Sequence, residues 1–258
     1  MSEPTSSVCV ANESTDYNTE PELGVAIKEV EKEQGIPRSD LYITTKCMNL
    51  VHDLPTALDR SLKAMQLDYV DLYLIHTPFK YKSAEDISTA WAQMEELQAK
   101  GLARSIGVSN FRPRDLAPIL ETAKVKPAVN QIEYHPYLQH PELSELMREH
   151  GIFTVGYGPL VSLRKEDQLE GGPIDDYVAT LAKKYDVTED NILLRWQMQK
   201  GLCIVTTSSK ESRLRNYLRS AEFEMTSEEE AELDRLGAKR HYRAYMVGDG
   251  RFDPEERE

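Results

Sequence analysis

Short apolar, β-branched runs alternate with longer amphipathic segments along the whole chain. That rhythm predicts repeated βα units and a parallel sheet flanked by helices. Strands are predicted at residues 8–11, 41–45, 69–76, 103–108, 128–133, 153–157 and 203–206. Residues 20–34 place Leu23, Ala26, Ile27 and Val30 at helical spacing, and residues 83–100 do the same with Ile87, Trp91, Met94 and Leu97. Each predicts a helix burying one face against the sheet. The run YVDLYLI, from Tyr69 to Ile75, is apolar or aromatic on both sides of the pleat. A strand covered by helices on one face and a packed core on the other has that pattern. A last helix is predicted after Thr226, where the acids from Glu228 to Glu232 complement the positive end of the helix dipole.

Alternating units of this kind build either an open doubly wound sheet or a closed barrel. The open sheet with a dinucleotide carries a G-x-G-x-x-G turn after an early strand, and the chain has none. The single run of strands therefore favours an α/β fold of the TIM-type (β/α)8 barrel. With 258 residues and 40% hydrophobic content, one large domain is expected over residues 1–258, with 237–258 as a polar C-terminal tail. No linker or solenoid-type repeat divides it.

Charge narrows the function classes. The 31 Lys plus Arg against 44 Asp plus Glu give a net charge of -13, which repels phosphate backbones and anionic membrane surfaces. No nucleic-acid or membrane partner is expected. Cys9, Cys47 and Cys203 are far apart and lack metal-ligand spacing, so free thiols in a reducing, cytoplasmic compartment and no metal site are expected. The polar start of the chain does not resemble a secretory signal, and no apolar run reaches the roughly 20 residues that span a bilayer.

In a barrel of this type the chemistry sits at the C-terminal ends of the strands. Those ends carry Lys46, His76, Ser109 with Asn110, Gln131 with Glu133 and His135, Tyr157, and a Thr/Ser cluster after Val205. A lysine there lowers the pKa of a neighbouring hydroxyl through its charge, and a histidine beside it can orient a carbonyl by hydrogen bonding. Tyr17, just ahead of the first helix, is a candidate for that hydroxyl. Taken singly, any of these is equally a satisfied polar group at a strand end.

From about Tyr17 to Leu236 the chain resembles the aldo-keto reductases. The matching stretches are DYNTEPELGVAIKE, LDYVDLYLIHTP, GLARSIGVSNF, PAVNQIEYHPYLQ and a later V-x-Y-x-P-L, in one order. The resemblance implies reduction of an aldehyde or ketone by hydride transfer from NADPH. It makes Tyr17 the proton donor, Lys46 the cation that depresses the tyrosine's pKa, and His76 the group that orients the carbonyl. It assigns Ser109, Asn110 and Gln131 to the nicotinamide carboxamide and Tyr157 to stacking on the nicotinamide ring. Ser208, Ser209, Lys210 and Arg213 match the segment that grips the adenosine 2'-phosphate at the start of a helix.

The chain departs from the family pattern in three places. Asn12 stands where the family has an aspartate paired with the lysine, so Lys46 is expected to meet an amide rather than a charge. Thr207 and Tyr217 replace the usual lysine and asparagine of the phosphate-gripping segment. The stretch before Asn12 is too short for the family's first strand and helix. That predicts a barrel lacking them, with exposed edges, self-association through the incomplete edge, and a segment from Ser6 to Ala11 filling part of the gap. Two rival functions remain open at this point: a non-redox barrel acting as an isomerase, a lyase or a binding protein, and a nucleotide-binding regulatory subunit.

Overall fold

The computed structural model describes residues 9–12, 19–164, 169–249 and 251–256. The chain divides into two compact units, Met1–Asn130 and Gln131–Glu258. The first holds β1 (Cys9–Asn12), α1 (Glu20–Gln34), β2 (Tyr42–Cys47), α2 (Leu54–Met65), β3 (Val70–Ile75), α3 (Ala84–Ala99), β4 (Ala103–Ser109) and α4 (Pro113–Thr122). Strand β5 (Val129–Glu133) spans the boundary. The second continues with α5 (Pro141–His150), β6 (Phe153–Tyr157), α6 (Asp175–Tyr185), α7 (Glu189–Gln199), β7 (Cys203–Val205), α8 (Glu211–Tyr217) and α9 (Ser227–Gly237). All seven predicted strands are present among the described residues, within two residues of their expected bounds.

In the first unit β1 pairs with β2, β2 with β3 and β3 with β4, all parallel. Parallel neighbours need a crossover, and α1, α2 and α3 lie between successive strands in the chain. All six residues of β3 are buried, as its two-sided apolar pattern requires. Helices α2 and α3 start where a side chain satisfies one of their first amides. Asp53 accepts from the Thr56 N–H at 3.1 Å ahead of α2, and Ser83 accepts from the Asp86 N–H at 3.1 Å ahead of α3. Helix α1 approaches α2 closely at Gly24, where a β-carbon would lie 2.3 Å from the Met65 carbonyl oxygen. Only glycine fits there.

The starts of β2, β3 and β4 are fastened by one buried carboxylate. Asp71 accepts the Ile43 N–H at 2.9 Å and forms ion pairs with Arg38 at 2.7 Å and Arg104 at 3.0 Å. Both guanidinium groups also lie over the Tyr69 ring, at 4.3 and 4.2 Å from its centroid. A buried charge is tolerated when it is paired and hydrogen-bonded in this way.

In the second unit β6 and β7 pair in parallel, with Tyr157 opposite Val205. Helix α9 begins after Thr226 as expected, closed by a Thr226–Glu229 capping box, and its Asp234 carboxylate ties it to α7 and to Lys200 just beyond. Asp234 accepts from the Trp196 indole at 2.7 Å and from the Lys200 ammonium at 2.7 Å.

Removing the Asp71 carboxylate leaves two cations and a backbone amide without their shared acceptor. Asp71→Ala is expected to lower stability by about 3 kcal/mol, the scale for breaking a buried ion pair, and Asp71→Asn by less. Urea unfolding followed by circular dichroism measures both, and equal midpoints for wild type and Asp71→Ala would refute the clamp.

Candidate active site

Strand β2 runs two residues further than the pattern predicted, so Lys46 lies inside the strand instead of just beyond it. The pleat therefore fixes the direction of its side chain. Lys46 is only 1% exposed, and its ammonium donates to Asn12 Oδ1 at 2.8 Å. The amide at position 12 thus meets the lysine as expected, with a dipole in place of a charge. On the neighbouring strand Lys46 stands opposite Leu74, and the His76 N–H extends the ladder to the Cys47 carbonyl at 3.0 Å. Lys46 and His76 consequently sit at adjacent strand ends.

His76 is buried, and its pKa falls from 6.5 to about 3, first through burial and then through the Lys46 charge. Its ring is neutral at physiological pH. A neutral imidazole can donate one ring N–H to a carbonyl oxygen, which suits it to orienting a substrate. Ser109 closes β4, and Asn110 follows in the left-handed region at φ +63°. Asparagine tolerates that conformation better than most residues. There the Asn110 amide donates to the His76 carbonyl at 3.0 Å and to Ser109 Oγ at 3.0 Å. The first unit thus gathers Asn12, Lys46, His76, Ser109 and Asn110 at the strand ends, whereas Tyr17 lies outside the described residues.

The remaining candidates belong to the second unit. Gln131 is buried on β5, and Tyr157 ends β6, its carbonyl accepting the Tyr134 N–H at 3.0 Å. Ser208 Oγ accepts the Lys210 N–H at 3.1 Å, in the turn that leads into α8. Ser209, Lys210 and Arg213 are exposed around that turn, and Tyr217 is buried behind it. Burial raises the pKa of the Asp190 carboxyl on α7, and the Arg213 charge opposes that shift. Among the described residues no group of three or more His, Cys, Asp or Glu side chains could hold a metal ion.

One cluster goes beyond what the strand-end residues suggested. Glu133, the last residue of β5, is buried and accepts two successive backbone amides of the C-terminal segment, Ala244 N–H at 2.7 Å and Tyr245 N–H at 3.1 Å. Its Oε1 also lies 3.1 Å from Nε2 of the fully buried His135. Glu133 and His135 stand out in the sequence as strand-end polar residues, but nothing local marks Ala244 or Tyr245 as their partners. Tyr245 packs edge-on against Tyr157, with ring centroids 5.6 Å apart at 70°. The Arg164 guanidinium lies 4.8 Å over the Tyr245 ring and donates to its hydroxyl. Gly158 follows Tyr157 at φ +65°, and a β-carbon there would stand 3.0 Å from the Tyr245 ring.

The depressed His76 pKa makes stability depend on pH. The unfolded chain binds a proton at this residue below about 6.5 and the folded protein does so only near 3, so the contribution is complete above pH 6.5 and is lost as pH falls toward 3. The expected slope is about 1.4 kcal/mol per pH unit within that window. Comparing chemical denaturation of wild type and His76→Gln across it should show a flatter dependence in the variant. Identical slopes would mean that His76 is protonated in the folded state.

Residues 14–238 match the sequence profile of the Aldo/keto reductase family. A Schizosaccharomyces pombe NAD/NADP-dependent indole-3-acetaldehyde reductase is 41% identical over 233 residues, covering 89% of this chain and 80% of that protein. A Saccharomyces cerevisiae NADPH-dependent alpha-keto amide reductase is 42% identical over 229 residues, covering 86% of this chain and 72% of its own. Among solved structures, a Bombyx mori aldo-keto reductase in complex with NADP superposes with a TM-score of 0.81 at 30% identity, covering 87% of this chain and 77% of that one. A second aldo-keto reductase, from a deep-sea metagenome library, gives a TM-score of 0.80 at 30% identity over 92% of this chain and 85% of its own. The α/β fold and the motifs agree, and the chain belongs to the aldo/keto reductase family.

Proposed function

We propose that this protein reduces small aldehydes, ketones or dicarbonyls to alcohols with NADPH. The observation that carries the reading is the buried Lys46 ammonium, held by Asn12 at 2.8 Å beside a histidine kept neutral. A tyrosine with a pKa near 10 is a poor proton donor at neutral pH unless a cation stabilises its phenolate. Lys46 supplies that cation to Tyr17, which gives its phenolic proton to the nascent alkoxide. His76, uncharged, donates a hydrogen bond to the substrate oxygen and holds the carbonyl in line.

The residues present fit the cofactor. Asn110 and Gln131 each offer an amide and Ser109 a hydroxyl, matching a carboxamide that both donates and accepts. Tyr157 presents a ring for stacking, and Ser208, Ser209, Lys210 and Arg213 offer hydroxyls and positive charge to a 2'-phosphate. NADPH, when bound, supplies the hydride. The fungal relatives with NADP-dependent reductase names support this class of reaction over a non-redox barrel. Free thiols at Cys47 and Cys203 fit a reducing, cytoplasmic setting.

Lys46→Met and Tyr17→Phe should each lower kcat by about a hundredfold or more while leaving NADPH affinity nearly intact, since both act on proton transfer. NADPH oxidation followed by absorbance over a panel of carbonyls, with binding followed by fluorescence, separates the two effects. Undiminished turnover in Tyr17→Phe would assign the proton to another group.

Cofactor choice tests the second half of the reading. The unmodified protein should prefer NADPH to NADH, and the double substitution Lys210→Ala with Arg213→Ala should erase the preference by removing charge-assisted bonds to the phosphate. Equal affinity of the unmodified protein for both nucleotides would overturn it.

A further inference from the structure

A buried carboxylate on a strand that ends at a binding site is costly unless it has work to do, and Glu133 has no role in the reaction proposed above. Its partners show what it holds. One oxygen takes the Ala244 amide at 2.7 Å, the other takes the Tyr245 amide at 3.1 Å, and His135 stands against the first at 3.1 Å. Two successive amides bound to the two oxygens of one carboxylate fix both the position and the rotation of that stretch of backbone. The residue whose direction is set in this way is Tyr245. Its ring meets Tyr157 edge-on at 5.6 Å and lies under the Arg164 guanidinium, which also binds its hydroxyl. Gly158 leaves room for the ring, since a β-carbon there would come within 3.0 Å of it.

We infer that Glu133 is a positioning residue for the cofactor: by anchoring the amides of Ala244 and Tyr245 it holds the Tyr245 ring against Tyr157, and so fixes the angle at which Tyr157 presents its face to the nicotinamide. The inference rests on the reading of Tyr157 as the stacking residue. Glu133 is linked to Tyr157 through a chain of contacts that lies entirely within the second unit. No atom of Glu133 touches cofactor or substrate in this scheme. A tyrosine ring without its edge-on neighbour would sample other rotamers and stack less well.

The test measures NADPH dissociation constants by fluorescence, together with KM for NADPH and kcat, for Glu133→Gln, Tyr245→Ala, the pair combined, and Tyr157→Ala. In Glu133→Gln one carboxylate oxygen becomes an amide donor facing a backbone donor, so one of the two anchoring bonds is lost. Glu133→Gln and Tyr245→Ala should each weaken NADPH binding about three- to tenfold, the range for losing one edge-to-face ring pair, and raise KM for NADPH more than they change kcat. The combined variant should bind no more weakly than Tyr245→Ala alone, because both act through the same ring. A general loss of structural integrity would make the two effects add and would lower kcat as well.

Additive effects, or unchanged NADPH affinity in a folded Glu133→Gln, would overturn the inference. If Glu133→Gln does not fold, Tyr245→Ala still decides, since it leaves the carboxylate and both amides in place: unchanged affinity there refutes the link. Tyr157→Ala separates the two possible failures. If it weakens NADPH binding while the Glu133 and Tyr245 variants do not, the positioning role falls and the cofactor reading stands. If Tyr157→Ala is itself without effect, the stacking role is wrong and the inference falls with it.

Discussion

Burying the Lys46 ammonium is the constraint around which the first unit's strand ends are arranged. An ammonium removed from water must recover its lost hydration from fixed dipoles or opposite charges, or it gives up its proton. Here the Asn12 amide oxygen supplies a dipole at 2.8 Å, brought to Lys46 by the parallel pairing of β1 with β2. The same charge, added to burial, keeps His76 from binding a proton. His76 in turn is fixed through its backbone, its N–H bound to Cys47 and its carbonyl to Asn110. Burial first, and then this one cation, keep His76 neutral, and the hydrogen bonds of its backbone leave it little freedom to move away.

The two ends of these strands do different jobs. At their starts, Asp71 collects two arginines and a backbone amide, with Tyr69 beneath both guanidinium groups. At their finish Lys46, His76, Ser109 and Asn110 are all buried, and these are the groups proposed to bind and react. Parallel strands make this division natural, because every strand of the sheet ends on the same side. Charge placed at the start can serve stability without disturbing the groups at the end.

Much of the fold was legible because its signals are local. The all-apolar run of β3 and the helical spacing of α1 and α3 are patterns that a single segment carries, and the structure places those elements where the pattern puts them. Strand ends were less legible. Lys46 and Cys47 belong to β2 and Ser109 to β4, because the parallel ladder continues past the last apolar residue and a polar side chain does not stop it. Single residues also left each strand-end group ambiguous, and it was the order of several motifs that singled out Asn12, Lys46 and His76 together. The contact between Glu133 and the amides of residues 244 and 245 was invisible for a different reason. It joins groups more than a hundred positions apart, and a backbone amide carries no mark of its partner in the sequence.

That last contact has a consequence for how such a chain can vary. Because Glu133 grips main-chain amides, the anchor is indifferent to the side chains at positions 244 and 245, and among the ordinary residues only proline, which lacks the N–H, is excluded. The side chain facing Tyr157 can therefore be exchanged by drift or selection while the segment stays moored in place. A chain built this way can try new surfaces beside Tyr157 without first having to reinvent the segment that carries them.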